Sequence, residues 1–325
     1  NGRAEVGFVG RVLLNAFNAL EYGERNSRDD LTGNSRAVFN SYLEGGFSPN
    51  GFFREFVNFD NHSETDVYSI RRQSEGIYAM LHFLQYEKNN GRTHVEWEGK
   101  IQRILEQFLL LQQEDGSFPR KFRDDLSLVD STGGSTPSAT LPLVMAYTYF
   151  DDDHYLQAAK RTADYLEREI ISKADYFSST LDANCEDKEA SLYASTATYY
   201  LALVSEGEEQ QRYADLSLRS AYFALSWYYL WDVPFARGQM IGDIGLKTRG
   251  WGNVSVENNH IDVFIFEFGS VLKWLSERYG EPRFTLFLEV ISSSMRQLLP
   301  YEGHLSGVAK PGYYPEVVQH THWDY

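Results

Sequence analysis

The sequence predicts an all-α protein assembled from helical hairpins. Apolar residues recur at helical spacing from the first segment onward, where Val6, Val9, Leu13, Phe17 and Leu20 share one face. The predicted helices come in pairs, of which the first is apolar nearly all round and the second is amphipathic, which is typical of a buried helix followed by a half-exposed one. Alternation of period two, the signature of a half-buried strand, is scarce.

This pairing repeats along the chain, and the polar stretch 23–34 is expected to be a loop. The repeat period is roughly 50–75 residues, which is typical of helical-pair arrays. The loops that enter the buried helices are long and irregular, which favours a role in building a site over simple turning. The predicted pairs are 74–86 with 95–112, 140–150 with 155–171, 191–204 with 213–231, and 261–279 with 284–299.

One turn has a specific form, Gln112-Gln-Glu-Asp-Gly-Ser-Phe118. Gly116 permits a left-handed backbone, Asp115 and Ser117 cap the adjacent helix ends, and Phe118 is expected to pack back on the hairpin. The segment 45–51 contains a degenerate relative of this turn.

This turn resembles the Q-x-x-D-G-S-[FW] turn that closes outer helices in (α/α) toroids. Such toroids occur in six-hairpin glycoside hydrolases and polysaccharide lyases and, with the QW motif, in triterpene cyclases. The resemblance implies one (α/α) toroid domain over residues 1–325 that acts on a glycan, and it transfers no catalytic residue. The D-x-D-D acid motif of the cyclases is not matched.

The helix count leaves two alternatives for the ring. We count about ten long or medium helices, whereas a ring of six hairpins needs twelve. Either 6–21 and 36–43 form one more pair, or part of the toroid lies outside this chain. The start at Asn1 and the stop at Tyr325 inside an aromatic cluster favour a fragment of a larger chain.

The composition limits the classes of molecule that this protein is expected to bind. The formal net charge is −16, which repels nucleic acids. The aromatic fraction of 15% is high, and aromatic faces suit sugar rings, so we expect an oligo- or polysaccharide substrate. Cys185 is the only cysteine, which excludes internal disulfides and cysteine-based metal sites, and no apolar run is long enough to span a membrane. We expect no cofactor and no metal, and an exported bacterial protein is favoured.

The first candidate site residues precede and open the first buried helix. In a toroid, ligands sit at one end of the inner helices, where the entering loops and the positive helix ends meet. Tyr68 could stack on a sugar, and Arg71 and Arg72 could hold a carboxylate or sulfate. The alternative is a capping box made by Ser74 and Glu75, with the arginines in surface ion pairs.

The stretch 182–189 crowds carboxylates ahead of a small-residue helix that carries Tyr193. Like charges at a helix start can raise one pKa enough to make a general acid, so Asp187 and Glu189 are catalytic candidates and Lys188 is a substrate-binding candidate. The alternative is that both acids only complement the helix dipole.

The stretch 247–262 is the richest in polar groups. Trp251, between Gly250 and Gly252, is interpreted as a presented sugar platform, and Arg249 as a holder of an acid group. The polar residues that follow are expected to converge at the start of an inner helix, and the alternative is an elaborate cap around a core histidine. The further candidates in this stretch are Glu257, Asn259, His260 and Asp262, and Trp323 belongs to a similar cluster near the C-terminus.

The first functional hypothesis is a glycoside hydrolase that acts on an anionic, uronic-acid-containing or complex polysaccharide. Glycosidic cleavage needs a protonated carboxyl and a second carboxylate. We assign one to Asp187 or Glu189 and the other to Glu257 or Asp262. The cations Arg71, Lys188 and Arg249 favour an anionic sugar.

Two alternatives stay open. A polysaccharide lyase of the same fold would use His260 or Tyr193 as base, and Asn259 and Arg249 would neutralise the uronate carboxylate. The other alternative is a glycan-binding or scaffold domain without catalysis, in which the polar loops contact a partner.

Overall fold

The computed structural model describes residues 2–177, 184–234, 237–238, 240–243, 245–257, 260–263, 268–297, 299–303, 311 and 318–319. The chain divides into two compact units, Asn1–Ser172 and Lys173–Tyr325. One toroid domain over the whole chain therefore stays a prediction.

The first unit contains three helical hairpins, and in each of them the first helix packs against the second. Its short strands form two antiparallel sheets, of order β1-β2-β3 and β4-β5-β6. A 3-10 turn, Gly133–Ser135, precedes α5, and a π-helical turn, Leu166–Ile171, ends α6. The elements are β1 Arg3–Glu5, α1 Val9–Arg25, α2 Asp29–Gly45, β2 Phe56–Asn58, β3 Ser63–Glu64, β4 Val67–Ser69, α3 Ile70–Asn89, α4 Val95–Leu111, β5 Lys121–Arg123, β6 Leu128–Asp130, α5 Thr136–Phe150 and α6 Asp153–Tyr165.

The second unit contains two further hairpins and a third antiparallel sheet of order β7-β8-β9. Its elements are α7 Lys188–Leu203, α8 Gly207–Leu225, the short α9 Met240–Asp243, β7 Gly252–Asn253, β8 His260–Asp262, α10 Phe268–Tyr279, α11 Pro282–Ser294 and β9 Val318–Gln319.

The predicted pattern of a buried helix followed by a half-exposed one is confirmed. From Ile70 to Leu84, every residue of α3 except His82 is buried, whereas α4 buries one stripe of apolar residues. The same holds for α7 and α8, which approach closely at small residues. Ser195 Oγ donates to the Ser217 carbonyl at 2.9 Å, and Ser217 Oγ donates back to the Ser195 carbonyl at 2.8 Å. These bonds satisfy hydroxyls that burial would otherwise leave costly.

The loop predicted over 23–34 is too long. Helix α2 begins at Asp29, and Asn26, Ser27 and Arg28 make the connection. Asp29 and Asp30 lie in the first turn, where carboxylates stabilise the positive end of the helix dipole, and this outweighs the Gly and Asn content of the stretch. Helices α1 and α2 pack together, so the segments 6–21 and 36–43 belong to one helical pair, whereas a part of the toroid outside this chain stays a prediction.

The turn after α4 has the predicted geometry. Gly116 has a φ of +91°, and its N–H donates to the Gln113 carbonyl at 3.0 Å. A Cβ atom at Gly116 would lie 2.3 Å from the Arg161 carbonyl oxygen, so only glycine fits. Phe118 is fully buried, and its N–H donates to Thr136 Oγ1 at 2.8 Å, which ties the turn to the start of α5.

The turn after α2 repeats this arrangement. Gly51 also has a φ of +91°, and its N–H donates to the Ser48 carbonyl at 2.9 Å. Phe53 is fully buried, and its N–H donates to Gln73 Oε1 on α3 at 2.8 Å. Each of the two turns therefore holds the next inner helix through the backbone N–H of a buried phenylalanine.

The helix predicted over 261–279 is wrong at its start, and short strands lie at the entrances to inner helices. Strand β4 leads directly into α3, and the segment predicted as helical from Ile261 begins instead as β8, with α10 starting at Phe268. Strands of two or three residues are too short to show alternation in the sequence, so periodicity does not detect them. Asp262 consequently lies on a strand and not at a helix start.

Candidate functional site

The start of α7 is built around a buried N-cap. Asp187 Oδ1 accepts the Glu189 backbone N–H at 2.7 Å, and its side chain is fully buried, while that of Glu189 is 4% exposed. An aspartate at this position satisfies one of the N–H groups that a helix start leaves without a partner. The capping alternative therefore accounts for Asp187.

Two of the predicted loops meet at this cap. Asp187 forms an antiparallel bridge with Ser255, the Lys188 N–H donates to the Val254 carbonyl at 3.1 Å, and the Val256 N–H donates to the Glu186 carbonyl at 3.1 Å. The stretch 186–188 and the stretch 254–256 thus lie side by side, joined by an isolated antiparallel bridge. The structure brings together candidates that lie about 70 residues apart in the chain.

A buried ion pair adds strand β8 to the same place. Lys188 Nζ bonds to Asp262 Oδ1, and it also lies 5.0 Å from the ring centroid of Tyr228. Lys188 is fully buried and Asp262 is 4% exposed. Because removal of either partner would leave a buried charge, the pair fixes β8 against the start of α7. The cation of Lys188 is used inside the protein, which argues against its predicted contact with a substrate acid.

Sequence reasoning missed Tyr228, which follows α8 and is 4% exposed. Burial raises its pKa well above the usual value, and the negative charges of Asp262 and Glu189 act in the same direction. The phenol therefore stays protonated beside two candidate carboxylates and can serve as a proton-bearing hydrogen-bond donor. Its place depends on contacts between distant segments, which no local pattern in the sequence reveals.

Sequence reasoning also left out Glu186, although it lies in the acid-rich stretch that drew notice. Burial, and after it the nearby charge of Asp175, raises the pKa of Glu186 to about 7. A carboxyl with this pKa exists partly protonated at neutral pH, which suits a general acid. The carboxylate that acts on Glu186, Asp175, comes from the segment before this loop.

The interpretation of Trp251 as a presented platform is wrong. Its side chain is 1% exposed and packs with Leu246, Ile261 and Val263. The flanking glycine allows close packing and not presentation, since a Cβ atom at Gly250 would lie 3.1 Å from Val290 Cγ1. Within the described residues, the indole N–H of Trp251 has no acceptor.

Two other candidates of this stretch reach solvent. Arg249 is exposed and bonds to Asp232 Oδ2 at 3.1 Å through a terminal guanidinium nitrogen. Glu257 is exposed, two residues beyond the Asp187–Ser255 bridge. Both side chains can reach a ligand.

The candidates at the start of α3 belong to the first unit and form buried ion pairs. Arg71 Nε lies 3.0 Å from Glu75 Oε1, and Arg72 contacts both Glu5 and Glu55, the latter at 3.4 Å. The predicted clamp on a substrate acid is not supported, and the alternative of surface ion pairs is wrong, because both guanidinium groups are buried and contact carboxyl groups of the protein. Burial raises the pKa of Glu55 to about 8, so of the two partners of Arg72 it is Glu5 that supplies the negative charge at neutral pH. 

The alternative prediction of a capping box made by Ser74 and Glu75 at the same helix start is also wrong. Ser69, and not Ser74, is the N-cap of α3, and its Oγ accepts the Arg72 N–H at 3.4 Å. Tyr68 is 3% exposed and packs against Phe52 and Phe122, with ring centroids 4.9 and 5.8 Å away. It is placed as a core residue and not as a stacking surface.

The remaining candidates are only partly described. Tyr193 lies in the second turn of α7 and is 6% exposed. His260 lies on β8, where its backbone pairs with Gln319, and its side chain is outside the described residues. Asn259 and Trp323 also lie outside them. Their assigned roles stay predictions.

In the described part of the chain, no group of three or more His, Cys, Asp or Glu residues is arranged to hold a metal ion. None of the helices searched there is long and apolar enough to cross a membrane.

Comparison with known proteins gives no match in sequence and clear matches in structure. No protein-family model matches the chain, and no curated protein matches it in sequence. A D-mannose isomerase matches with a TM-score of 0.69 at 10% identity, over 98% of this chain and 80% of its own. Cellobiose 2-epimerase from Bacillus thermoamylovorans B4167 matches with a TM-score of 0.66 at 13% identity, over 98% and 81%.

A third structure is more distant. The unsaturated glucuronyl hydrolase of Bacillus sp. GL1, described as responsible for degradation of glycosaminoglycan, matches with a TM-score of 0.50 at 12% identity, over 68% of this chain and 62% of its own. At such identities the likeness concerns the fold. The chain is an all-α protein with the (α/α) toroid fold that these carbohydrate-active enzymes share.

Proposed function

We propose that this protein is a carbohydrate-processing enzyme, and specifically a glycoside hydrolase with its carboxyl groups at the start of α7 and on the stretch 254–262. The observation that carries the proposal is the meeting of the 186–188 and 254–256 stretches at a buried helix start. Ionisable groups from both stretches, and Asp262 of β8, concentrate there. Toroid enzymes that act on sugars are similar in fold.

The bonding pattern narrows the choice of catalytic carboxyls. Asp187 is engaged as the cap of α7, and Asp262 is neutralised by Lys188. From the predicted pairs we choose Glu189 and Glu257 on the basis of their burial and exposure. Glu189 is buried beside Tyr228 and suits the general acid, and Glu257 is exposed and suits the base that activates water.

The preference for an anionic sugar now rests on Arg249. The other proposed cations are engaged in buried ion pairs with carboxylates of the protein. Arg249 is 56% exposed at its side chain, so part of its guanidinium faces solvent beside Asp232. We therefore assign binding of the uronate carboxylate to Arg249. Arg249→Gln is expected to lower kcat/KM more on uronate-containing glycans than on neutral ones.

The test of the hydrolase is a glycan panel with matched glutamine variants. Glu189→Gln and Glu257→Gln are each expected to lower kcat by about 10²–10⁴-fold on any glycan that the wild type cleaves. Glu289→Gln, an exposed glutamate on α11, is the control and is expected to keep wild-type kcat. Full activity of both test variants would overturn the assignment of these residues.

A sugar epimerase or isomerase is the second candidate, because a D-mannose isomerase and a cellobiose 2-epimerase are among the structures with high TM-scores. Such an enzyme moves a proton on the sugar and breaks no glycosidic bond. Incubation of mono- and disaccharides in D₂O separates the two: an epimerase incorporates deuterium at carbon without cleavage, and a hydrolase releases a new reducing end. A lyase would instead give an unsaturated product with ultraviolet absorbance.

A further inference from the structure

An exposed tryptophan lies on the same β ribbon as the candidate site. Trp231 is 64% exposed, whereas the other tryptophans in the described part of the chain are buried or half-buried. It belongs to what we call the Trp231 ribbon, residues 228–233 and 247–253. The ribbon is held by backbone bonds from Tyr229 N–H to the Trp251 carbonyl at 2.7 Å and from Gly250 N–H to the Tyr229 carbonyl at 2.9 Å.

The backbone of Trp231 is fixed by a buried hydroxyl. Thr248 is fully buried, its Oγ1 accepts the Val233 N–H at 2.7 Å, and the same hydroxyl donates to the Trp231 carbonyl at 3.3 Å. The opposite segment is held by the turn that follows α11, since Gln297 bonds to both the N–H and the carbonyl of Lys247. An exposed aromatic ring on so constrained a backbone loses little conformational entropy when it binds a ligand.

A polar pair adjoins the indole. Asp232 follows Trp231 in the chain, and its two oxygens accept the backbone N–H and a guanidinium N–H of Arg249, each at 3.1 Å. A carboxylate beside a guanidinium offers acceptors and donors side by side. Vicinal hydroxyls of a sugar ring can both donate to and accept from such a pair, while the apolar face of the ring stacks on the indole.

The ribbon also leads into the candidate site. It continues as β7, which pairs with β8, the strand that carries Asp262. Between the Asp232–Arg249 pair and β7, residues 248–251 form a turn, in which the Trp251 N–H donates to the Thr248 carbonyl at 2.8 Å. We expect a ligand that contacts both this pair and the carboxylates at the start of α7 to extend past the turn and to contain more than one sugar ring.

We propose that Trp231 and the Asp232–Arg249 pair form a binding subsite for an additional sugar unit of an oligo- or polysaccharide. This inference rests on the proposed function and makes it more specific: the substrate is a chain of sugars, and the enzyme prefers longer chains. The net charge of −16 disfavours an anionic membrane surface as the occupant.

The experiment compares a short and a long oligosaccharide of the same glycan. Trp231→Ala is expected to lower the ratio of kcat/KM for the long substrate to that for the short one by about 10-fold, as truncation of a well-placed aromatic contact does. Trp231→Phe keeps a stacking ring and is expected to retain part of the preference. Phe59→Ala, which removes another exposed aromatic ring (59% exposed) from the first unit, is the control and is expected to keep the ratio.

The outcomes separate this inference from the proposed function. If Trp231→Ala keeps the wild-type ratio, the subsite is overturned while the enzyme assignment stands. If the wild type binds oligosaccharides without turnover, the hydrolase fails, and the dissociation constants of the same variants decide on the subsite. If the wild type neither binds nor cleaves any sugar, or if Trp231→Ala only disrupts self-association in size-exclusion chromatography, the subsite is overturned.

Discussion

The starts of α3 and α7 use buried charges in opposite ways. At α3 the chain places two cations, Arg71 and Arg72, and each is met by carboxylates of the protein. At α7 it places one cation, Lys188, among the three buried acids Asp187, Glu189 and Asp262. Both helices are buried along most of their length, so the difference lies in the charges and not in the packing.

The helix dipole explains the first arrangement and only part of the second. The positive end of a helix disfavours cations, so the arginines of α3 need carboxylates beside them. At α7 the dipole favours acids, but one cap would suffice, and Asp187 supplies it. Asp262 pairs with Lys188, and Glu189 lies in the first turn beyond the cap, so this helix start collects more acids than capping alone requires. The candidate site is therefore proposed at the start of α7.

The largest effect on stability is expected from removal of Lys188, the cation that lies among Asp187, Glu189 and Asp262 at the start of α7. Lys188→Met leaves Asp262 buried without its partner, and we expect a loss of about 3–5 kcal/mol in the free energy of unfolding. Urea denaturation measures it. The double variant Lys188→Met/Asp262→Asn removes both charges and is expected to recover a large part of the loss, and a single-variant loss below about 1 kcal/mol would contradict the pairing.

A smaller loss is expected at the start of α3. Arg72→Met is expected to lower the free energy of unfolding by about 2–3 kcal/mol. This is less than the loss expected for Lys188→Met, because Glu55 keeps hydrogen bonds from the Ser69 N–H and from Gln73 when the arginine is removed. Arg25→Met removes an exposed arginine paired with Glu21 and is the control, with an expected change within about 0.5 kcal/mol. If Arg72→Met and Arg25→Met lower the free energy of unfolding equally, the contacts of Arg72 with Glu5 and Glu55 do not stabilise the fold.

The smallest effect concerns pH. The folded pKa of Glu186, about 7, lies above the unfolded value of 4.5, so the native state holds its proton more tightly in the window between them. Stability should therefore fall as pH rises from 4.5 to 7, by about 1 kcal/mol because solvent screens this partly exposed carboxyl. 

Denaturation at several pH values measures the slope. Glu186→Gln removes the titrating group and should flatten this part of the profile, whereas Glu289→Gln should leave it as in the wild type. A profile that keeps its slope in Glu186→Gln would place the titration elsewhere in the chain.

The helical architecture could be predicted because burial of a whole helix face leaves a periodic record in the sequence. The Gln113–Phe118 turn could also be predicted, since Gly116 and its neighbours carry all of its geometry locally. The short strands could not, because two or three residues leave no period.

The site was only partly predictable for a related reason. The acid-rich stretch 182–189 and the polar stretch 247–262 were found, but what each side chain does depends on partners far along the chain. Trp251 was expected outside and lies inside, while Trp231 drew no attention and is exposed. The position of flanking glycines does not tell presentation from close packing, because both need room beside the backbone.

The turns after α2 and α4, which contain Phe53 and Phe118, have a consequence for how far the sequence of this fold can vary. In each, the donor that holds the next helix is a main-chain amide, at Phe53 and at Phe118. A peptide N–H is common to all residues except proline, so substitution of the phenylalanine side chain does not remove the donor. The acceptors, Gln73 Oε1 and Thr136 Oγ1, are side-chain atoms, and the link depends on them. The positions of Phe53 and Phe118 can therefore vary widely, whereas residues 73 and 136 must each keep a side chain with an acceptor oxygen if successive hairpins are to stay connected in this way.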